Sequence, residues 1–297
     1  MAKRRWSIAI SVAALLLSGG KESSALPIRT TDPNVGIFSG SAALSRVEFV
    51  EASRPGLDFS ATIVPVALLY SPTTYSALGI VVPYVEKRLE LKGKGDEFTQ
   101  GLSDIMLLGR YKFFSLPQRQ AWNQAAFQFT LKLPTGPTDR RISLSVPPSV
   151  KRALQPGTGS TDFIFELTGG RFTTHYNLLA NLGYRLNTED DDISFGERFF
   201  ANADIEYFLF PRFTRKHGQE VISLLEFSFV HAERDRLQDR AVPNSGGNSF
   251  FLAPGLQWIV GERFLVETSI QFPLAQDLTG KQPKLDQSVL VGVRFVY

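Results

Sequence analysis

Apolar and polar residues alternate along almost the whole chain, and this pattern limits the folds that the chain can adopt. The clearest runs are 124–133, 176–186 and 264–272, where nearly every second residue is apolar. A period of two places successive side chains on opposite faces of a β-strand. Nine further runs bring the predicted strands to twelve, at 43–52, 57–70, 75–88, 104–113, 160–171, 197–210, 220–231, 248–260 and 289–297.

The last of these strands keeps an apolar face up to the final residue. Val289, Val291, Val293, Phe295 and Tyr297 share that face. A closing strand that ends on an aromatic residue is typical of outer-membrane barrels, whose assembly machinery reads it. We therefore expect Phe295 and Tyr297 to form an assembly signal, with the barrel assembly machinery as a partner of the chain.

The N-terminus has the composition of an export signal. Lys3, Arg4 and Arg5 precede an apolar stretch of 13 residues, and Ser23-Ser24-Ala25 is a small-residue cleavage site. The apolar stretch is shorter than the roughly 20 residues that a membrane-spanning helix needs, which disfavours an N-terminal anchor. The predicted organisation is a cleaved signal peptide at 1–25, a periplasmic segment at 26–42 and a barrel at 43–297.

Charge and cysteine content narrow the choice of partners. The chain has a formal charge of +3, and removing 1–25 takes away four basic residues and one acidic residue, which lowers the charge to 0. No net attraction to nucleic acid remains. The chain has no Cys, which excludes a lipid-modified cysteine and disulfides.

Alternation alone does not show which face of the strands is wet, because a soluble barrel has the same pattern turned inside out. The lengths of the connections decide between the two. Short connections are predicted at 53–56, 71–74, 115–120, 172–175, 211–218 and 261, and long ones at 89–100, 134–159, 187–196, 232–247 and 275–285. Apart from 53–56, long and short connections alternate. This asymmetry predicts a transmembrane antiparallel up-and-down β-barrel of about twelve strands in the cell outer membrane, with periplasmic termini.

Polar residues on the faces opposite the apolar ones are candidates for the lining of the lumen. They fill the barrel with ion pairs and hydrogen bonds, line a channel, or do both. Both signs of charge are present, so strong ion selectivity is not predicted. The candidates are Asp104, Arg110, Lys112, Gln128, Lys132, Glu166, Asn181, Arg185, Asp204, Glu206, Glu226, Glu267, Gln271 and Arg294.

The sequence contains no pattern that predicts catalysis, a metal site or a cofactor. A barrel phospholipase needs a His beside a Ser on the lipid-facing wall, and His175, His217 and His231 do not lie within an apolar strand face. The glycine-rich segment 157–160 precedes a strand and lacks a following Lys, unlike a phosphate loop. The acidic run 189–192 either holds divalent cations that bridge lipopolysaccharide or is a solvated loop.

Three segments resemble a known family when taken together. Gly101-Leu102-Ser103-Asp104 leads into Arg110-Tyr111-Lys112-Phe113, Leu131-Lys132-Leu133-Pro134-Thr135-Gly136 closes a strand, and Gly157-Thr158-Gly159-Ser160-Thr161-Asp162-Phe163 opens the next one. The order is similar to that of an outer-membrane family named for the meta-pathway of phenol degradation, over roughly residues 40–297. The resemblance implies a β-barrel that carries small, often aromatic or hydrophobic compounds, and it brings no catalytic residues.

The leading functional hypothesis is a non-enzymatic outer-membrane channel or transporter for passive passage of small organic solutes. Its partners would be the solute, outer-membrane lipid and lipopolysaccharide. The alternatives are a structural or adhesive barrel with a plugged lumen, and a barrel enzyme that acts on lipids. Residues 137–156, which contain Pro147, Pro148 and Pro156, form the longest predicted loop, and it either folds into the barrel or covers it.

We predict cleavage of the export signal after Ala25, because Ser23 and Ala25 occupy the small-residue positions behind the apolar core. Intact-mass spectrometry of protein extracted from cell envelopes should give a chain that begins at Leu26. A mass that includes residues 1–25 would contradict the prediction.

Overall fold

The computed structural model describes residues 41–209, 219–261 and 263–296, with only the backbone of Val296. The predicted signal peptide, most of the predicted periplasmic segment, His217 and Tyr297 lie outside the described residues. In chain order the elements are β1 (Ala42–Arg54), β2 (Leu57–Tyr70), β3 (Ser76–Leu91), β4 (Gly95–Leu102), β5 (Met106–Pro117), β6 (Ala121–Lys132), α1 (Pro148–Leu154), β7 (Asp162–Thr173), β8 (Tyr176–Leu186), β9 (Glu189–Asp190), β10 (Ile193–Ser194), β11 (Arg198–Phe208), β12 (Gln219–Ala232), β13 (Arg236–Leu237), β14 (Arg240–Ala241), β15 (Gly247–Val260), β16 (Phe264–Leu278) and β17 (Lys284–Val296).

The long strands form one antiparallel sheet that closes on itself. β1 pairs with β2 on one side and with β17 on the other, and β2 pairs with β3. β4 and β5 lie in line along β3, β4 against its second half and β5 against its first, so they share one place in the wall. The barrel therefore has twelve strand positions, which confirms the predicted fold class.

The two ends of the barrel differ in their connections. At the end that holds Ala42 and the backbone of Val296, neighbouring strands are joined by the short connections 71–75, 118–120 and 174–175. We call this the turn end. The opposite end, the loop end, carries 133–161, 187–197 and 233–246. In outer-membrane barrels the short turns are periplasmic, so we expect the loop end to face the outside of the cell.

The outer and inner faces of the wall have opposite polarity. Leu68, Leu182 and Ile205 point outward and are 53%, 49% and 48% exposed. Glu206 and Glu226 point inward and are both 0% exposed. A soluble barrel would bury the leucines and expose the glutamates. The outer wall is therefore the lipid-facing surface, and the closed ladder leaves no backbone edge in the bilayer.

Aromatic side chains form a belt on the outer wall at the turn end. Tyr70, Tyr111, Tyr176, Tyr207 and Trp258 are all exposed there. Amphipathic rings of this kind lie at the headgroup level of a membrane. The outward face of β17 also carries Phe295, which is 40% exposed, as the alternation predicted.

A second aromatic group lies on the outer wall near the loop end. Phe229 lies between Phe199 and Phe250, with ring centroids 6.3 Å and 4.7 Å away. Offset packing at these distances is favourable between aromatic rings. The two aromatic groups mark the two edges of the apolar wall.

Several connections differ from their predicted form. The predicted connection 89–100 is wrong, because β3 and β4 continue through most of it and turn at 92–94. Charged residues such as Glu90, Lys92 and Asp96 hide the strand pattern there, and Gly93 and Gly95 supply the positive φ angles, +78° and +100°, that the turn needs. In the same way β16 runs to Leu278, into the predicted connection 275–285.

Two other predicted loops contain regular structure. Residues 187–196 and 232–247 contribute β9, β10, β13 and β14 to a small sheet of four short strands at the loop end. The 134–159 loop contains α1, which the sequence analysis did not predict. None of the helices in the described residues is long and apolar enough to cross a bilayer.

Two prolines inside neighbouring strands do not disturb the register between them. Pro65 of β2 lies directly opposite Pro83 of β3, and the pairing runs without a shift from Leu57 with Leu91 to Tyr70 with Leu78. Each proline lacks an N–H for the ladder. Placing the two opposite each other confines that loss to one level of the wall.

We predict that Ile270→Arg destabilises the barrel far more than Gln271→Arg. Ile270 faces lipid, where an arginine near the midplane costs about 2–4 kcal/mol, whereas its neighbour Gln271 faces the interior. The measurement is the heat-modifiable folded fraction and the urea midpoint in phospholipid vesicles. Equal damage from the two variants would contradict the assignment of the faces.

Candidate functional site

The structure places the predicted lining residues on the inward face of the wall. Most of them are fully buried, and Arg185 and Gln271 are partly exposed. Their role in transport stays a prediction. The inward-facing residues are Asp104, Arg110, Lys112, Gln128, Lys132, Glu166, Asn181, Arg185, Asp204, Glu206, Glu226, Glu267, Gln271 and Arg294.

A cluster of charged and hydroxyl side chains connects four neighbouring strand positions near the loop end. The Lys132 ammonium lies 3.1 Å from an Asp104 carboxylate oxygen and 2.7 Å from one of Asp162. Arg185 donates to the same Asp162 carboxylate at 2.7 Å. Thr158 donates to Asp104 from its backbone N–H at 2.8 Å and from its hydroxyl at 2.7 Å. We call these five residues the neck cluster.

The neck cluster assembles the three segments that carry the family resemblance. Asp104 belongs to the first, Lys132 to the second, and Thr158 and Asp162 to the third. The Gly136 N–H donates to the other Asp104 oxygen at 3.0 Å, so the segments meet at one carboxylate. The sequence order alone did not show that they are in contact, because 26 and 54 residues separate Thr158 from Lys132 and Asp104.

Two glycines close the base of the long loop. A Cβ on Gly136 would lie 2.7 Å from the Gly157 Cα, and a Cβ on Gly157 would collide with the Gly136 carbonyl. The Ser103 hydroxyl donates to the Pro156 carbonyl at 2.6 Å, which holds the returning chain against the wall. Only glycine permits this close approach of two backbones.

Beyond the neck, residues 137–156 fold to the inner side of the wall, which decides between the two predicted positions of this loop. Leu144 and Leu154 pack against Leu57 and Leu89, which project inward from β2 and β3. The Lys87 ammonium donates to the carbonyls of Ala153 and Gln155 at 2.8 and 2.7 Å. It thereby caps the C-terminal end of α1, where free carbonyls favour a cation.

The same loop also contacts the connection that follows β8. Arg152 of α1 donates to Asp190 at 2.7 Å and to Asp191 at 3.0 Å. Gly159, at φ +79°, leaves room for Asp190, since a Cβ there would meet its carboxylate. Two members of the acidic run thus hold an arginine, a role that the sequence analysis did not consider. The loop therefore contacts β3 on one side and the connection after β8 on the other.

Deeper in the lumen, Glu267 is the centre of a buried polar network. It accepts from Arg46 at 2.7 Å, from Arg294 at 3.1 Å and from Gln257 at 3.2 Å. Sequence reasoning named Glu267 and Arg294 but missed Arg46 and Gln257. The alternation of β1 and β15 would have found both, because each lies on the inward face of its strand.

A second network covers the wall from β6 to β11. Gln128 donates to Glu166 at 2.5 Å, and Asn181 donates to the same carboxylate at 3.3 Å. Asn202 extends this network by donating from its side-chain amide to the Oδ1 of Asn181 at 3.1 Å. Such linked polar groups are stable in a low-dielectric interior only where they find partners.

Some buried polar atoms of the lumen have no partner among the described residues. They include both carboxylate oxygens of Asp204, the Nε and Nη1 of Arg110, and the Nε and Nη1 of Arg294. Asp204 and Arg110 are 1% and 6% exposed. Native interiors pair nearly all such groups with protein or water. These atoms therefore mark places where water or a solute is expected inside the barrel.

Part of the inner face is apolar, contrary to the simple expectation of polar residues inside. Leu44, Leu69, Val81 and Leu108 project inward from β1, β2, β3 and β5 and form one cluster. A second cluster joins Ile222, Ile259 and Leu265 of β12, β15 and β16. The lumen is therefore amphipathic, with apolar sectors beside charged ones.

The described residues contain no group of His, Cys, Asp and Glu side chains arranged to hold a metal ion. His175 lies in a turn, and His231 bonds to Asn248 at 2.8 Å on the outer wall. Neither contacts the lumen residues above.

A closed antiparallel barrel with an apolar outer wall, an aromatic belt and a charged interior defines an outer-membrane β-barrel protein. The pattern of the family described as "Putative MetA-pathway of phenol degradation" matches residues 60–279, which is most of the chain. The chain belongs to that family.

Solved structures show the same fold. The COG4313 outer membrane channel from Pseudomonas putida F1 is 14% identical with a TM-score of 0.66, and the match covers 95% of this chain and 100% of that one. The beta domain of the Bordetella autotransporter BrkA is 12% identical with a TM-score of 0.51, covering 87% and 99%. None of the curated protein sequences matches the chain.

We predict that Gly157→Ala loosens the long loop, because the added Cβ collides with the Gly136 backbone. Overpacking of this kind costs about 1–3 kcal/mol. Limited proteolysis in detergent should cut within 137–156 faster than in the wild type. Gly169→Ala is the matched control, since its Cβ would lie 3.9 Å from the nearest neighbouring atom, the Gln124 carbonyl oxygen. Equal protection of both variants would contradict the role of the neck.

Proposed function

We propose that the protein is an outer-membrane channel for the passive passage of small organic solutes. The observation that carries the proposal is the unpaired polar atoms of the lumen. Asp204 projects inward from β11 and Arg110 from β5. Both carboxylate oxygens of Asp204 and the Nε and Nη1 of Arg110 have no partner among the described residues. A barrel that served only as a mechanical plug would gain stability by pairing them. In a path that admits water and solute, these atoms would instead bond to water or to the solute.

The mixed lining suits organic molecules of modest polarity. Apolar sectors such as Leu44 with Val81 offer surface to a hydrocarbon part, and the neighbouring charged networks offer hydrogen bonds. Buried basic side chains such as Arg110 and buried acidic ones such as Glu226 both belong to the inner face, so the lining as a whole is not expected to favour ions of one sign strongly. Weak selectivity between solutes follows from this arrangement.

The long loop sets the size of the path at the loop end. Lys87 of β3 holds it at one edge, and its own Arg152 binds Asp190 after β8 at the other, so it lies on the inner side of the wall between them. Loops that fold into a barrel narrow the entrance and lower conductance. The proposed path is therefore narrow, and single-channel currents are expected to be small.

The comparisons support the channel proposal without defining the solute. One structure of the same fold is described as an outer membrane channel, and the family description refers to phenol degradation. We extend the channel role and the class of small organic solutes to this chain as a proposal. Outer-membrane lipid, lipopolysaccharide and the barrel assembly machinery are its proposed partners.

A structural barrel with a plugged lumen is the second candidate. It is favoured by the tight packing of inward side chains such as Glu206, Gln257 and Glu267, which are at most 1% exposed. In that reading the Glu267 network is a permanent cross-link of the wall. Conductance separates the two candidates.

We predict slow, weakly selective flux of small neutral and aromatic solutes through purified protein in liposomes, with modest single-channel conductance. Deletion of 138–155 should raise flux, because it removes a segment that packs on the inner side of the wall at the loop end. Arg110→Ala should raise conductance or shift ion preference. Lys94→Ala, at the exposed tip of the β3–β4 hairpin, is the matched control and should change neither.

These measurements also discriminate against the plugged barrel. If wild-type and loop-deleted protein both pass no ions and no small solute, the channel proposal is overturned. Heat modifiability shows whether each variant is folded, so that a loss of flux caused by unfolding is recognised.

A further inference from the structure

A lysine and two aromatic rings meet on the inner rim of the turn end. The Lys112 ammonium lies 5.6 Å from the ring centroid of Tyr75 and 6.0 Å from that of Trp122. Both distances allow attraction between the cation and the ring faces. We call these three residues the rim cluster. No sequence argument singled out Tyr75 or Trp122.

The register places the rim cluster inside the barrel. The Lys112 N–H donates to the Tyr75 carbonyl at 2.7 Å, so the two residues lie side by side on β5 and just before β3. Trp122 is two residues from Gln124, which is buried on the inward face of β6. Its indole N–H donates at 2.9 Å to Ser115, which pairs with Gln124 across the strands.

The rim cluster is distinct from the aromatic belt on the outer wall. Tyr111, the neighbour of Lys112, belongs to that belt and faces lipid. Tyr75 and Trp122 are 56% and 48% exposed, but on the side of the lumen opening. Rings that anchor a barrel in the membrane have no reason to lie there.

A second cation continues the cluster into the lumen. Arg110 lies two residues before Lys112 on the inward face of β5, and its Nε and Nη1 have no partner among the described residues. The inner face of β5 thus carries two positive charges, Arg110 and Lys112. Lys112 is the nearer to the turn end, and it lies beside the exposed rings of Tyr75 and Trp122. Phe172, which pairs with Trp122 on β7, adds a third aromatic side chain nearby.

We propose that the rim cluster is a binding subsite for an aromatic anion, a molecule with one ring and one carboxylate or ionised hydroxyl group. The ring would stack on Tyr75 or Trp122, and the anionic group would accept charge-assisted hydrogen bonds from Lys112. Arg110 would bind the anionic group next, as the solute moves further into the lumen. This subsite rests on the proposed channel function and gives that channel a preferred class of solute.

The test uses benzoate and the full mature protein in detergent. In a Trp258→Phe background, Trp122 is the remaining indole of the mature chain, so its emission reports on the rim directly. Benzoate should change the emission saturably, and calorimetry should give the same Kd. Cyclohexanecarboxylate, which keeps the charge but lacks the aromatic ring, and benzyl alcohol, which keeps the ring but lacks the charge, should each bind about tenfold more weakly.

Variants assign the binding to the rim. Lys112→Gln and Tyr75→Leu should each weaken benzoate binding about tenfold, which corresponds to the loss of one favourable contact. Arg119→Gln removes a positive charge from an exposed turn at the same end and should leave the Kd unchanged. Heat modifiability confirms that each variant is folded.

The outcomes separate the subsite from the channel. Liposomes that pass solutes, combined with benzoate binding that is absent or unaffected by Lys112→Gln, would overturn the subsite and leave the channel standing. Equal binding of benzoate and cyclohexanecarboxylate would overturn the aromatic part of the proposal. Saturable, Lys112-dependent benzoate binding in a barrel that passes no solute would support the ligand assignment and overturn the channel.

Discussion

The need to pair every backbone N–H and C=O inside lipid governs the rest of this structure. β1 and β17 satisfy it by pairing across the whole height of the wall, although they come from opposite parts of the chain. Once the sheet is closed, each strand has one face toward lipid and one toward a confined interior. The position of every functional side chain follows from that division, because a shift of one residue would exchange the two faces.

The sequence predicted the wall well because the wall follows a simple rule. Alternation identified the strands and placed residues such as Glu226 and Arg294 on the inward face, where the structure has them. The rule works because lipid accepts only apolar side chains over the middle of each strand. Outside the bilayer this requirement for apolar side chains no longer applies. The end of the β3–β4 hairpin carries charged residues that are stable in water, so its sequence resembles that of a loop.

Contacts within the lumen could not be predicted from the same pattern. Alternation gives the face of a residue and says nothing about its partner, so Arg46 was missed as a ligand of Glu267. Apolar residues on the inner face were missed for a related reason. Inward side chains of neighbouring strands can pack on one another, and Leu44 and Val81 are stable there as members of one apolar cluster.

The glycine contact at the neck has a consequence for how the barrel is built. Gly136 lies against Gly157 and Ser103, so the contact needs the ends of β5, β6 and β7 in their native positions. The long loop therefore docks on the inner side of the wall only when these strands are in their native register. The width of the entrance at the loop end is thus coupled to correct strand pairing.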